Sequence, residues 1–177
     1  MSAYVTQATT AMHRRRIDGT RWISIRPIER TDALALSEFY AGLSPESRRR
    51  RFLCGSAPPL TMIERLANAP GLIGVLREIG ARDGSIVAHA SVQPDGRGRG
   101  EMAFAVADEY QRLGLGRLLV GAAVRLARSL GLATVQATLL AENMPMRHLL
   151  RSAGIPVLSD RLDAGTEEIL LDLARAV

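Results

Sequence analysis

The chain has 177 residues, 47% of them hydrophobic and 23% charged, which suits one domain with a full core and is wrong for a disordered chain. No apolar run approaches the roughly 20 residues of a membrane span, and the single cysteine, Cys54, excludes an internal disulfide framework and a thiolate-rich zinc site. All 23 basic residues are arginine against 18 acids, a net charge of +5, so nucleic acid, a phosphorylated cofactor and an acidic protein surface are the candidate partners.

Residues 1–20 are polar and acid-poor and lack the apolar stretch of a secretory signal, so they are expected as a flexible tail ending at an Asp18-Gly19 turn, with the cytoplasm as compartment. Residues 21–177 form the domain. Alternation over residues 22–26, closed by Pro27, predicts a strand. Thr31 or Asp32 then caps a helix whose apolar positions are Leu34, Leu36, Phe39, Tyr40 and Leu43. Ser44 as N-cap with Pro45 at the first helical position starts a second helix, which carries Arg48, Arg49, Arg50 and Arg51. A third is predicted over residues 61–68, with Thr61 capping and Glu64 completing a capping box.

Residues 72–79 and 85–92 are apolar runs joined by a hairpin turn at residues 81–84, and a strand follows over residues 101–107. Residues 115–130 are a strongly amphipathic helix, with Leu115, Leu118, Leu119, Ala122, Leu126 and Leu130 on one face and Gly131 ending it. A buried strand over residues 134–140, a helix from Asn143 or Met144 to about Ala153, and strands near residues 156–158 and 168–173 complete the chain. This order predicts an α/β (α+β) fold, a mixed sheet with helices on both faces.

Chemistry concentrates at Gln111-Arg112-Leu113-Gly114-Leu115-Gly116-Arg117, between a strand and the amphipathic helix. Glycines there let the backbone approach a ligand, and a helix start presents free N–H groups suited to phosphate; a plain tight turn is the bland alternative. A dinucleotide fingerprint needs a third glycine where Leu119 stands, and a P-loop needs a lysine that the chain lacks. Aromatic residues are 4% and dispersed, which disfavours nucleic acid.

The segment Q-R-L-G-L-G-R, after E-M-A-F-A-V, resembles the acyl-CoA signature Q/R-x-x-G-x-G/A of the GNAT superfamily of N-acetyltransferases. The runs A-E-N-M-P-M-R, R-S-A-G-I, I-R-P-I-E-R-T-D and L-S-P-E-S-R-R-R-R-F resemble the acetyltransferase domain of bacterial Pat-type protein lysine acetyltransferases. The resemblance implies a mostly antiparallel sheet of about six or seven strands and acetyl-CoA as co-substrate, with no metal. It implies transfer to a primary amine, foremost a protein lysine, with a small-molecule amine or a non-catalytic acyl-CoA-binding module as alternatives. A second copy of the chain is a further candidate partner, and a membrane is not.

Residue by residue, the resemblance makes Glu101 the general base on the strand before the glycine loop. The acyl carbonyl would meet backbone N–H groups near Ala105, Val106 and Ala107. The main chain of Arg112, Leu113, Gly114, Leu115, Gly116 and Arg117, after Gln111, would hold the pyrophosphate, and Asn143 the pantetheine arm. Read from the residues alone, Glu101 also fits an exposed strand end and Asn143 a helix cap. The family's general-acid tyrosine is replaced here by Leu150, so no acid is assigned; a thiolate of pKa near 8.5 leaves without one. His89 reads as a satisfied sheet histidine, His148 as exposed, Cys54 as a packing residue and residues 96–100 as a loop. The arginine run spans a whole helical turn, either as solvated surface or as contacts to a phosphate or an acidic protein.

Overall fold

The computed structural model describes residues 14–18, 20–78 and 84–175. Its centre is one eight-stranded sheet in the order β1-β2-β3-β4-β5-β6-β8-β7. The strands are β1 (Arg14–Arg16), β2 (Arg21–Pro27), β3 (Gly71–Glu78), β4 (Ser85–Pro94), β5 (Arg99–Val106), β6 (Thr134–Leu140), β7 (Val157–Asp163) and β8 (Thr166–Asp172). Every neighbouring pair is antiparallel except β5 and β6, which run parallel. The predicted class therefore holds, with one strand more than expected. The extra strand is β1, in the segment expected as tail: Arg15 pairs with Ile23, and Asp18 secures the connection by accepting the Thr20 and Arg21 N–H groups at 2.8 and 2.7 Å. Gly19 and most of the predicted turn at residues 81–84 lie outside the described residues.

Helices α1 (Ala33–Gly42), α2 (Pro45–Phe52) and α3 (Leu60–Asn68) cover one face of the sheet, and α4 (Leu115–Ser129) with α5 (Met144–Arg151) covers the other. The apolar stripe of α4 explains its seat: Leu115, Leu119, Ala123 and Ala127 are fully buried, with Met102, Phe104 and Val135 in the adjoining core. On the opposite face Leu36, Phe39, Tyr40 and Leu43 of the α1 region pack with Ile63, Ile73 and Ala105. Leu34 departs from the expected stripe and is 75% exposed, because a short 3-10 turn at Arg30–Asp32 precedes the helix and fixes its rotation. The Asp32 carboxylate caps that turn through the Glu29 N–H and pairs with Arg26 at 2.6 Å. Helix α3 starts at Leu60 after Pro59, so Thr61 lies inside the helix and caps nothing. Cys54 is exposed, since Leu53 ends α2 in the left-handed region and turns the chain outward.

Candidate active site

Strands β5 and β6 are paired only from Arg99↔Thr134 to Glu101↔Gln136. Beyond that point β5 stays with β4 and β6 with β8, so the two parallel strands part. The wedge between them is a cleft of about 480 Å³. Met102, Ala103, Phe104, Ala105 and Val106 form one wall and Ala137, Thr138 and Leu139 the other. Helix α5 closes one side with Asn143, Pro145, Met146 and Leu149, and α2 contributes Ser47, Arg50 and Arg51.

The glycine loop lies at the mouth, where Gln111, Arg112 and Gly116 line the cleft. Gly114 sits at φ 79°, ψ 6° as the N-cap of α4, a left-handed conformation that other residues adopt only at a cost. Arg112 is also left-handed, at φ 59°. After them the first-turn N–H groups of α4 have no helical acceptor, and they add the positive end of a 15-residue helix. A Cβ on Gly116 would come within 3.0 Å of Leu149 Cδ2, so this glycine lets α4 and α5 close on the cleft together. The chemistry of this loop fits a pyrophosphate. Ala107, Leu113, Gly114, Leu115 and Arg117 do not line the cleft: Leu115 is buried in the core and Leu113 is exposed.

Strand alternation sorts the β5 amides. Ala107 N–H donates to Val87 O at 2.8 Å, so this amide is spent on β4 and is corrected out of the expected carbonyl-binding set. Its parity turns Ala105 N–H toward β4 as well, and leaves Phe104 and Val106 facing the open side. The Val106 carbonyl bears this out, accepting a hydrogen bond from Gln111 Nε2 at 3.1 Å.

Glu101 is the last β5 residue paired with β6 before the strands part; it is exposed and does not line the cleft itself. Its side chain shares a sheet face with Ala103 and Ala105, which do. Asn143 does two jobs: its side chain accepts the Met146 N–H at 3.3 Å as the cap of α5, and it is buried in the cleft wall. Leu150 is fully buried in the core, so nothing at that position faces the cleft.

Helix α2 starts at Ser44-Pro45 as expected, and the four arginines of its run act separately. Arg48 donates to the Leu43 and Gly55 carbonyls. Arg49 reaches across to Glu142 at 2.7 Å, and Arg50 pairs with Glu46 at 2.9 Å. Arg51 turns inward and donates to Ser91 Oγ at 3.0 Å. The helix is docked by Asp108, which accepts Ser44 N–H at 2.9 Å and the hydroxyls of Ser44 and Ser47 at 2.9 and 2.6 Å. Partial burial pushes the Asp108 carboxyl up, but these hydrogen bonds together outweigh it and hold its pKa below the usual range. Gln111 Nε2 also donates to Ser47 Oγ at 3.2 Å, joining α2 to the glycine loop.

His89 is buried beneath this helix, its Nδ1 2.7 Å from the Tyr40 hydroxyl. Its Nε2 has no partner, so the sheet histidine is only half satisfied. His148 is exposed. Among the described residues no group of three His, Cys, Asp or Glu side chains is placed to hold a metal, and no helix is long and apolar enough to cross a membrane.

The acetyltransferase (GNAT) family model matches residues 33–155 of this chain. Acetyltransferase Pat of Mycolicibacterium smegmatis is 30% identical over 138 residues, 75% of this chain and 41% of that protein, so the chain spans about two fifths of its relative's length. Among solved structures, the GNAT domain of S. lividans PAT is similar with a TM-score of 0.73 at 23% identity, covering 85% of this chain and 90% of that one. The structure of yncA from Salmonella typhimurium with its cofactor acetyl-CoA is similar with a TM-score of 0.64 at 21% identity, covering 86% and 95%.

Proposed function

We propose that this chain, which belongs to the acetyltransferase (GNAT) family, is an acyl-CoA-dependent N-acetyltransferase that uses acetyl-CoA, and that its acceptor is a protein lysine, which attacks the thioester carbon directly with Glu101 as general base. The observation that carries this reading is the wedge between β5 and β6, with the α4 N-terminus at its mouth and small side chains along its wall. The cofactor supplies an activated acyl group and a sulfur that leaves as thiolate.

The first-turn amides of α4 and the left-handed Arg112–Gly114 corner hold the pyrophosphate, and Asn143 and the α5 side chains flank the pantetheine arm. Val106 N–H, the outward amide nearest the loop, receives the acyl carbonyl oxygen and stabilises the negative charge that grows there. Ala103 and Ala105 leave space for the thioester beside the strand. A lysine near pKa 10.4 must lose its ammonium proton before it attacks. Glu101, on the same strand face, takes that proton through water, and the exposed side chain exchanges it with solvent. The nitrogen lone pair forms the C–N bond as the C–S bond breaks, the second nitrogen proton leaves through the same water to Glu101 once the first has passed to solvent, and no enzyme group is acylated.

The Pat-type resemblance supports a protein lysine over a small amine, and so does the cleft lining, which among the described residues contains no aspartate or glutamate to seat a polycation. Glu101→Gln should lower kcat about 10²- to 10⁴-fold while the Kd for acetyl-CoA stays within about twofold. Undiminished turnover would overturn the base assignment. Labelled acetyl-CoA offered with protein and small-amine acceptors decides the acceptor, and binding without transfer to either would leave a non-catalytic module.

A further inference from the structure

The inner part of the cleft carries a positive charge that acetyl transfer does not use. Arg50, Arg51 and Arg112 line the cleft. Arg112 belongs to the phosphate loop and Arg50 is paired with Glu46. Arg51 has no carboxylate partner among the described residues: its guanidinium meets only neutral groups, Ser91 Oγ, the Tyr40 hydroxyl and the Phe52 ring, whose centre lies 4.9 Å from its guanidinium carbon. Its Nε is buried with no hydrogen-bond partner at all. A charged group with a buried, unmet donor is incompletely solvated, so an anion in the cleft is drawn to the part of the guanidinium that lines it.

Neither ionisable neighbour neutralises the charge. Burial pushes the Tyr40 hydroxyl's pKa up, so it stays protonated. Burial first, and the Arg51 charge second, push the His89 pKa down to about 3, so the ring is neutral.

Register fixes where the charge sits. Ser91 is opposite Ala103, so Arg51 reaches the stretch of β5 between Glu101 and Ala105. Ala103 is three residues before Val106, about 10 Å along the strand from its end, and the phosphate loop lies beyond that end. One anion cannot serve both ends. The methyl side chains of Ala103 and Ala105 leave room beside the guanidinium that an acetyl group does not fill.

We propose that Arg51 is the receptor for a carboxylate at the far end of the acyl chain, so that the cleft takes dicarboxylic half-thioesters of coenzyme A in addition to acetyl-CoA. The proposal rests on the placement of the thioester given above. Transfer of such a group forms one C–N bond and breaks one C–S bond; the nitrogen's proton goes to Glu101, the sulfur leaves as thiolate, and the distal carboxylate stays unchanged on Arg51.

Calorimetric titration of the full chain with coenzyme A, butyryl-CoA and succinyl-CoA tests this without knowledge of the acceptor. The two thioesters have four-carbon chains and differ in the terminal charge. Succinyl-CoA should bind roughly 10- to 100-fold tighter than butyryl-CoA, the worth of a desolvated charge-assisted hydrogen bond. In Arg51→Met the two should bind within about threefold of each other, with free coenzyme A, which has no acyl group, reporting that the variant is folded. Should Arg51→Met fail that control, Arg51→Lys decides, because lysine keeps the charge and loses the planar fork, and the preference must drop several-fold. Equal binding of the thioesters by the native chain, or a preference undiminished in the variants, would overturn the proposal; the first result would leave Arg51 to a carboxylate on the acceptor. Failure of coenzyme A itself to bind would instead refute the functional reading on which the proposal rests.

Discussion

Alanine at Gly114 and alanine at Gly116 should damage the protein in different ways, although the two glycines are one residue apart. Gly114 is at φ 79°, so alanine there costs about 1–2 kcal/mol of backbone strain. Its Cβ would meet the Arg15 guanidinium at 3.1 to 3.4 Å, the end of an exposed side chain that moves aside at little further cost. For a domain of this size that is a loss of about 2–8 °C in Tm, with the helix-start amides still in place. Gly116 has helical geometry and sits in the first turn of α4. Alanine gains up to about 1 kcal/mol there in helix propensity, offset by the displacement of Leu149, whose Cδ2 would be 3.0 Å from the new Cβ. Stability should therefore change by less than about 1 kcal/mol. Both Gly116 and Leu149 line the cleft, so the added methyl and the shifted leucine narrow the cofactor's path, and Kd for coenzyme A should rise about tenfold. Thermal melts and calorimetric titrations of the two variants separate the effects. An unchanged Tm for Gly114→Ala together with an unchanged Kd for Gly116→Ala would refute the loop geometry.

Asp108→Asn removes the charge from the three hydrogen bonds that dock α2, and should cost about 1–2 kcal/mol while raising KM for acetyl-CoA. Because the folded pKa of Asp108 is depressed, the native tie is complete at neutral pH and is lost as pH falls through the acid range below the usual carboxylate value; urea unfolding of the two chains at pH 7 and at low pH should converge. His89 titrates in the same sense over a higher window. Its folded pKa is about 3 against about 6.5 unfolded, so between those values the unfolded chain holds a proton that the folded ring refuses. Stability is complete above the unfolded value and falls by up to about 1.4 kcal/mol per pH unit below it. His89→Asn should flatten that slope in urea titrations between pH 7 and 5, whatever its effect on absolute stability; an equal slope would show that the ring is protonated in the fold.

Local signals carried much of the architecture. The Ser44-Pro45 start, the leucine stripe of α4 and the alternation of β2 each express a physical preference of a few neighbouring residues, and each element lies where those residues put it. The failures were local rules overruled by neighbours in space. Thr61 is a good cap by type, but Pro59 begins the helix earlier. Residues 14–16 are three arginines with no apolar alternation, and they form a strand only because β2 offers them an open edge. The glycine loop and Asn143 were readable because backbone freedom and helix capping are short-range demands. The parting of β5 from β6 was not, since it depends on β8 holding β6 away. Nor could spacing reveal that Arg51, alone among its neighbours in the run, turns onto the sheet beside Ser91.

The all-arginine composition takes on meaning from these positions. A guanidinium keeps its delocalised charge, so the cleft wall is cationic where a lysine desolvated at the same place would shed its proton. These 177 residues include no lysine, so none of them offers a side-chain amine to compete for the acyl group.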